Sequence, residues 1–216
     1  MTKKIQLLMG CGVLSLASAS LGQDISNTNS VAAAKKFYFG TDLGPAFLQT
    51  VNIVDADQIK FNTGIRGDLN LGYRLTPWLA TELSTGVIWN SADTIGGVAL
   101  SSYGGSLDLY QIPMLGSAIF TLPLQHGFDV NVGAGAGAVA SILHFNSPLG
   151  DIHNTDYTFA YQFFSGLNYR LAKNVEVGVG FKLLRTNNHY WEENGVTMTT
   201  GGTMTYSVTG SFTWLF

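Results

Sequence analysis

Residues 202–216, GTMTYSVTGSFTWLF, decide the fold. In an extended chain Met204, Tyr206, Val208, Phe212, Trp214 and Phe216 fall on one face, and Thr203, Thr205, Ser207, Thr209, Ser211 and Thr213 on the other. A greasy face backed by a hydroxyl face, finishing on an aromatic, suits a strand of a closed barrel in a bilayer. There alternate residues meet lipid and lumen, and closure leaves no unpaired backbone edge.

The same period of two recurs seven times upstream. Residues 37–49 set Phe37, Phe39, Thr41, Leu43 and Phe47 against Tyr38, Gly40, Asp42 and Gly44. Residues 63–75 send Ile65, Leu69, Leu71, Tyr73 and Leu75 outward and Arg66, Asp68, Asn70, Gly72 and Arg74 inward. After the turn Thr76-Pro77-Trp78, a third strand runs to Trp89, with Leu79, Leu83 and Val87 outward and Glu82, Ser84 and Gly86 inward. A fourth starts near Ser106, where Leu107 and Leu109 are expected outward and Asp108 inward. Pro113 within it removes a ladder bond and is expected at a bulge, which leaves the facing of residues 111–119 open.

The fifth segment, residues 128–143, alternates Phe128, Val130, Val132 and three alanines with Asp129, Asn131, Gly133, Gly135 and Gly137. Its Gly133-x-Gly135-x-x-Ala138 spells a dinucleotide fingerprint, but that motif needs glycines that open a helix. The unbroken alternation reads instead as a glycine track that makes room for large lumen side chains on neighbouring strands. Residues 157–171 put Phe159, Tyr161, Phe163, Leu167, Tyr169 and Leu171 outward and Gln162, Gly166, Asn168 and Arg170 inward. The turn 172–174 then leads to Val175, Val177, Val179, Phe181 and Leu183 opposite Glu176, Gly178, Gly180 and Lys182.

Composition agrees. Hydrophobic residues are 46% of the 216-residue chain and charged ones 12%, about half the ~25% of soluble domains. Yet no run after the N-terminus approaches the ~18 apolar residues of a spanning helix. A net charge of -3 gives no reason to expect nucleic acid as a partner. Residues 1–22 read as a secretory signal peptide: Lys3 and Lys4, an apolar run, then Ala17, Ala19 and Gly22 as cleavage-site residues. A lipoprotein cut before Cys11 would leave the apolar run from Val13 onward attached and the h-region too short, so the ordinary signal reading is preferred. Cys11 is the only cysteine, so no disulfide is expected. Residues 23–36 read as a disordered periplasmic lead, and 37–216 as one barrel domain.

The expected architecture is all-β: an eight-stranded antiparallel up-and-down transmembrane β-barrel with short periplasmic turns and longer external loops at 50–62, 90–104, 144–156 and 185–201. Aromatics at strand ends (Phe37, Tyr73, Trp78, Phe128, Tyr169, Trp214 and Phe216 below; Phe47, Trp89, Tyr157 and Phe159 above) form two interfacial girdles. The expected location is the outer membrane, reached by export.

The segments 69–86, 128–139 and 159–184 resemble the small outer-membrane β-barrel family that includes the transmembrane domain of outer membrane protein A and the opacity-type surface proteins. The resemblance spans essentially the whole mature chain. It implies an eight-stranded barrel of a kind whose members serve as anchors, adhesins, narrow pores or lipid-modifying enzymes. No peptidoglycan-binding domain follows the barrel in this sequence, so an anchor role through one is not expected. Outer-membrane lipids and the barrel-assembly machinery, through the strand ending at Phe216, are the expected partners.

Two function classes stay open: a non-enzymatic structural or surface-interaction barrel, and a narrow pore for small solutes or ions. For the first, the external loops with Tyr103, Tyr190 and Trp191 are the expected contact surface for a surface ligand, and deleting residues 187–200 should leave the barrel folded. Catalysis would need a nucleophile, a base and an orienting carboxylate in reach of one another. His144, His153 and His189 with Ser141, Ser147, Asp151 and Asp156 lack a spacing that fixes such geometry, and the His-x-Ser pattern of the family's deacylases is missing. His126, in a turn, has no evident partner. No catalytic residue, cofactor or metal site is assigned.

The candidate site is therefore the lumen, which an eight-stranded barrel can fill with its own side chains. Its inward charges are Asp42, Arg66, Asp68, Arg74, Glu82, Asp108, Asp129, Arg170, Glu176 and Lys182. If residues 172–174 form a three-residue turn, Leu171 faces Val175 and Arg170 faces Glu176 as a cross-strand ion pair. A plugged lumen is expected, with Arg74, Glu82, Asp129, Arg170 and Glu176 as a periplasmic network.

Overall fold

In a computed structural model, which describes residues 36–52, 58–147, 150–193 and 196–216, the chain forms a closed antiparallel barrel. The signal peptide and, apart from Lys36, the periplasmic lead lie outside the described residues. The barrel strands are β1 (Phe37–Leu48), β2 (Gly64–Arg74), β3 (Leu79–Ile95), β4 (Ser106–Pro123), β5 (Phe128–Ser147), β6 (Gly150–Ala172), β7 (Val175–Thr186) and β8 (Met204–Leu215). Each pairs with the next, and β8 returns to β1 through pairs such as Phe39 with Trp214. Among the described residues no helix is long and apolar enough to cross a membrane; strands make the crossing.

Outward residues are apolar because lipid is their solvent. Leu43, Leu69, Leu83, Val132, Phe163 and Val179 are all exposed, on a scale no soluble domain tolerates. Aromatic pairs ring the end that carries the short turns: Phe37 with Tyr73 (4.7 Å), Phe128 with Tyr169 (4.9 Å) and Trp78 with Phe120 (6.0 Å). One of those turns depends on left-handed backbone at His126 (φ 62°) and Gly127 (φ 80°). Within the glycine track Gly133 has the expected role, since a Cβ there would overlap the inward ring of Phe164, whereas a Cβ on Gly135 would meet Ser117 and one on Gly137 the backbone of Met114.

Four sequence expectations are corrected. First, the outer segments are largely ordered. β3 continues to Ile95, β5 and β6 meet in a long hairpin, and short strands form at Val51–Asn52, Gln58–Phe61, Val98–Ala99, His189–Glu193 and Val196–Thr200. A membrane crossing needs only ~9 to 11 residues per strand, so the outer half of the 23-residue β6 stands outside the bilayer.

Second, β4 has no bulge at Pro113. The register is the same on both sides of it, from Thr85 opposite Met114 to Ile88 opposite Gln111, and Pro113 faces Val139 across an unshifted ladder. Third, this register inverts the expected facing. Leu107 and Leu109 are buried inside the barrel, while Asp108 lies outside and accepts a hydrogen bond from Trp89 Nε1 (3.0 Å). Above the bilayer water lies outside, so apolar residues turn inward. Fourth, Arg170 faces Glu176 as expected, but Val175 pairs with Ala172 and a bulge takes up Leu171, so the turn is tighter than three residues.

Candidate functional site

The lumen is filled in layers from the periplasmic end outward. At the mouth, Glu176 on β7 accepts from Arg74 Nη2 on β2 (2.8 and 3.1 Å) and from Arg170 on β6 (3.3 Å), and Arg170 also reaches Asp129 on β5 (3.5 Å). Two cations meet two anions, so the layer is neutral. The Arg170 side chain keeps 49% exposure and faces the periplasm. Glu82 does not join this cluster. Its Oε2 accepts the Tyr38 hydroxyl (2.9 Å), because Tyr38 on β1 lies over Gly72 of β2 and so reaches β3.

Tyr38, Ala80, Ile119, Leu215 and Phe164 form an apolar shelf at this level, beside a polar cavity of about 100 Å³ that reaches Asp42, Glu82 and Lys182. Deeper still is the second charge layer. Lys182 Nζ donates to Asp42 and Asp68 (2.7 Å each), Arg66 Nε donates to Asp68 (2.8 and 3.1 Å), Arg66 Nη2 to Gln162 (2.5 Å), and Asn70 to Asp42 (2.6 Å). Arg66 and Asp68 are each 1% exposed. This layer is also neutral, as charges taken out of water must be.

Outward of it comes an apolar ring of Ala46, Ile88, Leu115, Val139, Ala160 and Leu184, contributed by six different strands. Above the ring a hydrogen-bond chain crosses the bore: Asp156 to His189 (3.0 Å), His189 to Thr186 (3.0 Å), Thr186 to Thr203 (2.9 Å), Thr203 to Gln111 (2.8 Å) and Gln111 to Thr205 (3.2 Å). Burial pushes the His189 imidazole below its ordinary value and Asp156 pulls back against it. An apolar cap of Leu48, Leu109 and Trp191, with Phe61 and Leu143 against it, packs at the outer end.

Thr186, His189 and Asp156 stand in the order of a nucleophile, a base and an orienting carboxylate. Their surroundings do not suit attack: His189 is 1% and Thr186 2% exposed, and Thr186 Oγ1 also accepts the Thr203 amide (2.8 Å).

The structure thus brings together the predicted Arg74, Asp129, Arg170 and Glu176, separates Arg66, Asp68 and Lys182 into a second cluster, and detaches Glu82 and Asp108. Trp191, expected as an exposed loop aromatic, is buried and donates Nε1–H to Thr200 (3.1 Å), whereas Tyr190 is exposed. The side chain of Tyr103 lies outside the described residues. Sequence reasoning missed Tyr38, Gln162 and the Asp156–His189 pair, whose partners are 44, 96 and 33 residues away. The inward parity of Tyr38 and Gln162 was the only available signal.

A lipid-facing belt around an eight-stranded barrel with side chains filling its bore defines a small outer-membrane β-barrel. The sequence matches the family model of the outer membrane protein beta-barrel domain over residues 10–212, and the chain belongs to that family. Its place is the outer membrane. The fold is similar to Neisserial surface protein A (TM-score 0.54, 16% identity, 83% of this chain and 97% of that one). It is also similar to a major outer membrane protein from Thermus thermophilus (0.53, 11%, 83% and 99%) and to OprG from Pseudomonas aeruginosa (0.51, 12%, 85% and 98%). A comparison with curated proteins finds none that matches.

Proposed function

We propose that this is a non-enzymatic surface barrel, exported by the signal peptide at 1–22, whose closed lumen rigidifies the outer hairpins that contact other molecules. The observation that carries this reading is the stack of neutral charge layers, apolar ring and apolar cap across the bore. The burial of Thr186 and His189 favours a structural use of that triad. Outer-membrane lipids cover the apolar belt. The assembly machinery is proposed to read the last strand, whose Phe216 amide donates to Phe37 O (3.0 Å) at the closing seam.

The hairpin surface offers an open groove at the outer rim, lined by Tyr157, Phe159, Arg185, Asn187, Asn188 and Tyr190. Tyr157, Arg185 and Tyr190 are exposed there, a mix of rings and a cation suited to glycans or anionic surfaces. Deleting residues 187–200 would now remove His189 and Trp191 from the closure, so point variants are the better test. Purified protein is assayed on arrays of glycans and matrix proteins, with Tyr157→Ala/Arg185→Ala/Tyr190→Ala alongside. Wild-type binding that the variant loses is expected. Binding unchanged in the variant, or absent from the wild type, overturns the surface role.

The narrow-pore reading rests on one observation, the polar cavity of about 100 Å³. None of its lining residues belongs to the apolar ring above it, so it ends below that ring.

A further inference from the structure

On the outer hairpin of β5 and β6, His144 and His153 are directly paired across the strands. Side chains two apart share a strand face, so Asp151 joins them on the outward side. Their rings stack at 4.0 Å between centroids, and both Nε2 atoms point at one carboxylate: His144 to Asp151 Oδ1 at 2.8 Å and His153 to Oδ2 at 3.1 Å. The ligand atoms of the three residues lie within 4.8 Å of one another. The group is outside the bilayer and solvent-accessible, with His153 60% and Asp151 51% exposed.

We infer that His144, Asp151 and His153 form a surface binding site for a divalent transition-metal ion of the zinc class. Two imidazoles and one carboxylate are borderline donors, which prefer Zn²⁺, Ni²⁺ or Cu²⁺ to Ca²⁺ or Mg²⁺. Zinc held at ~2.0 to 2.2 Å spaces its donors roughly 3.3 to 3.5 Å apart, so the three side chains need only small rotations on a fixed pair of strands. Each Nε2 presents its lone pair to the metal as its proton moves to Nδ1, and Asp151 supplies one oxygen. Three protein donors leave a coordination position for water or for an external ligand. The two strands keep the donors in register, and the metal would in turn clamp the hairpin.

Protein extracted from outer membranes in detergent, stripped with chelator, is titrated calorimetrically with zinc chloride alone. One equivalent is expected to bind with a Kd on the order of micromolar or tighter. His144→Ala and His153→Ala should each weaken binding by about a hundredfold or more, since changing mere supporting residues already costs ~10- to 100-fold, and Asp151→Asn by at least about tenfold. His126→Ala, far away on a periplasmic turn, should bind like the wild type. Heat-shifted gel mobility checks that every variant still forms the barrel. Cobalt chloride should give visible absorption bands with the wild type that the His144→Ala/His153→Ala variant lacks. Wild-type zinc affinity in that double variant, no binding by the wild type up to millimolar zinc, or tighter binding of calcium would overturn the site.

Discussion

Replacing Asp68 by Asn removes a charge without changing shape, in the layer that holds the most deeply buried charges of the lumen. The carboxylate accepts from Arg66 Nε and Lys182 Nζ, and the three side chains are 1%, 1% and 9% exposed. Lys182 would keep Asp42 at 2.7 Å. Arg66 would keep only neutral acceptors, Gln162 and at most the new amide oxygen, and its Nη1 is already buried without a hydrogen-bond partner. Stranding a guanidinium in this way costs ~3 to 5 kcal/mol. Glu176→Gln makes the internal comparison, because its partners Arg74 and Arg170 are 30% and 49% exposed and water screens what is left, to ~1 kcal/mol or less. The dry-lumen cost that the sequence suggested for Glu176 therefore belongs to Asp68. The assay is equilibrium urea unfolding in lipid vesicles, followed by tryptophan fluorescence and heat-shifted gel mobility. Asp68→Asn/Arg66→Met should recover part of the loss, since the stranded charge is gone. Equal, small effects of Asp68→Asn and Glu176→Gln would refute a dry inner layer.

Further outcomes follow from other layers. His189 is held below its ordinary value of 6.5, so below that pH the unfolded chain binds the extra proton more readily. Wild-type stability in urea should fall as pH drops through ~6.5, and His189→Gln should flatten that dependence; an unchanged slope would exclude His189 as its source. Trp191→Ala empties the outer cap and should cost ~3 to 5 kcal/mol, read as faster proteolysis of the 189–200 hairpin while the boiled and unboiled gel bands stay distinct. Gly133→Ala drives a methyl into Phe164 and should destabilise by ~1 to 3 kcal/mol, and adding Phe164→Ala should relieve that clash in the same urea assay. Deleting Phe216 should lower the amount of barrel recovered in the outer membrane; unchanged recovery would remove the assembly role of that residue.

The lipid-facing wall was legible because bilayer and lumen impose one rule on every strand: apolar at alternate positions, with the parity set by Trp214 or Leu69 as well as by any neighbour. The rule failed where its cause ends. Leu107 and Leu109 stand above the bilayer, where the apolar side of a strand turns into the cap, so a lipid-facing reading inverts β4. Pro113 suggests a bulge, yet the ladder absorbs it by losing pairing to β3 at Ile112 and Pro113 while the register on either side stays the same. The partner of Arg170 was visible because a short turn fixes cross-strand neighbours. Those of Arg66 and His189 were not, since Gln162 and Asp156 reach them only through barrel closure and the folding-in of an outer hairpin. Ordered outer hairpins carry no lipid signature, which is why His144, Asp151 and His153 read as loop residues.

The central claim is that the bore is closed, and single-channel recording in planar bilayers tests it most directly. The wild type should show no stable openings, while Trp191→Ala combined with Leu184→Ala, which thins the cap and the apolar ring together, should show small, brief ones. Large, long-lived openings of the wild-type protein would contradict a closed lumen and make this barrel a pore.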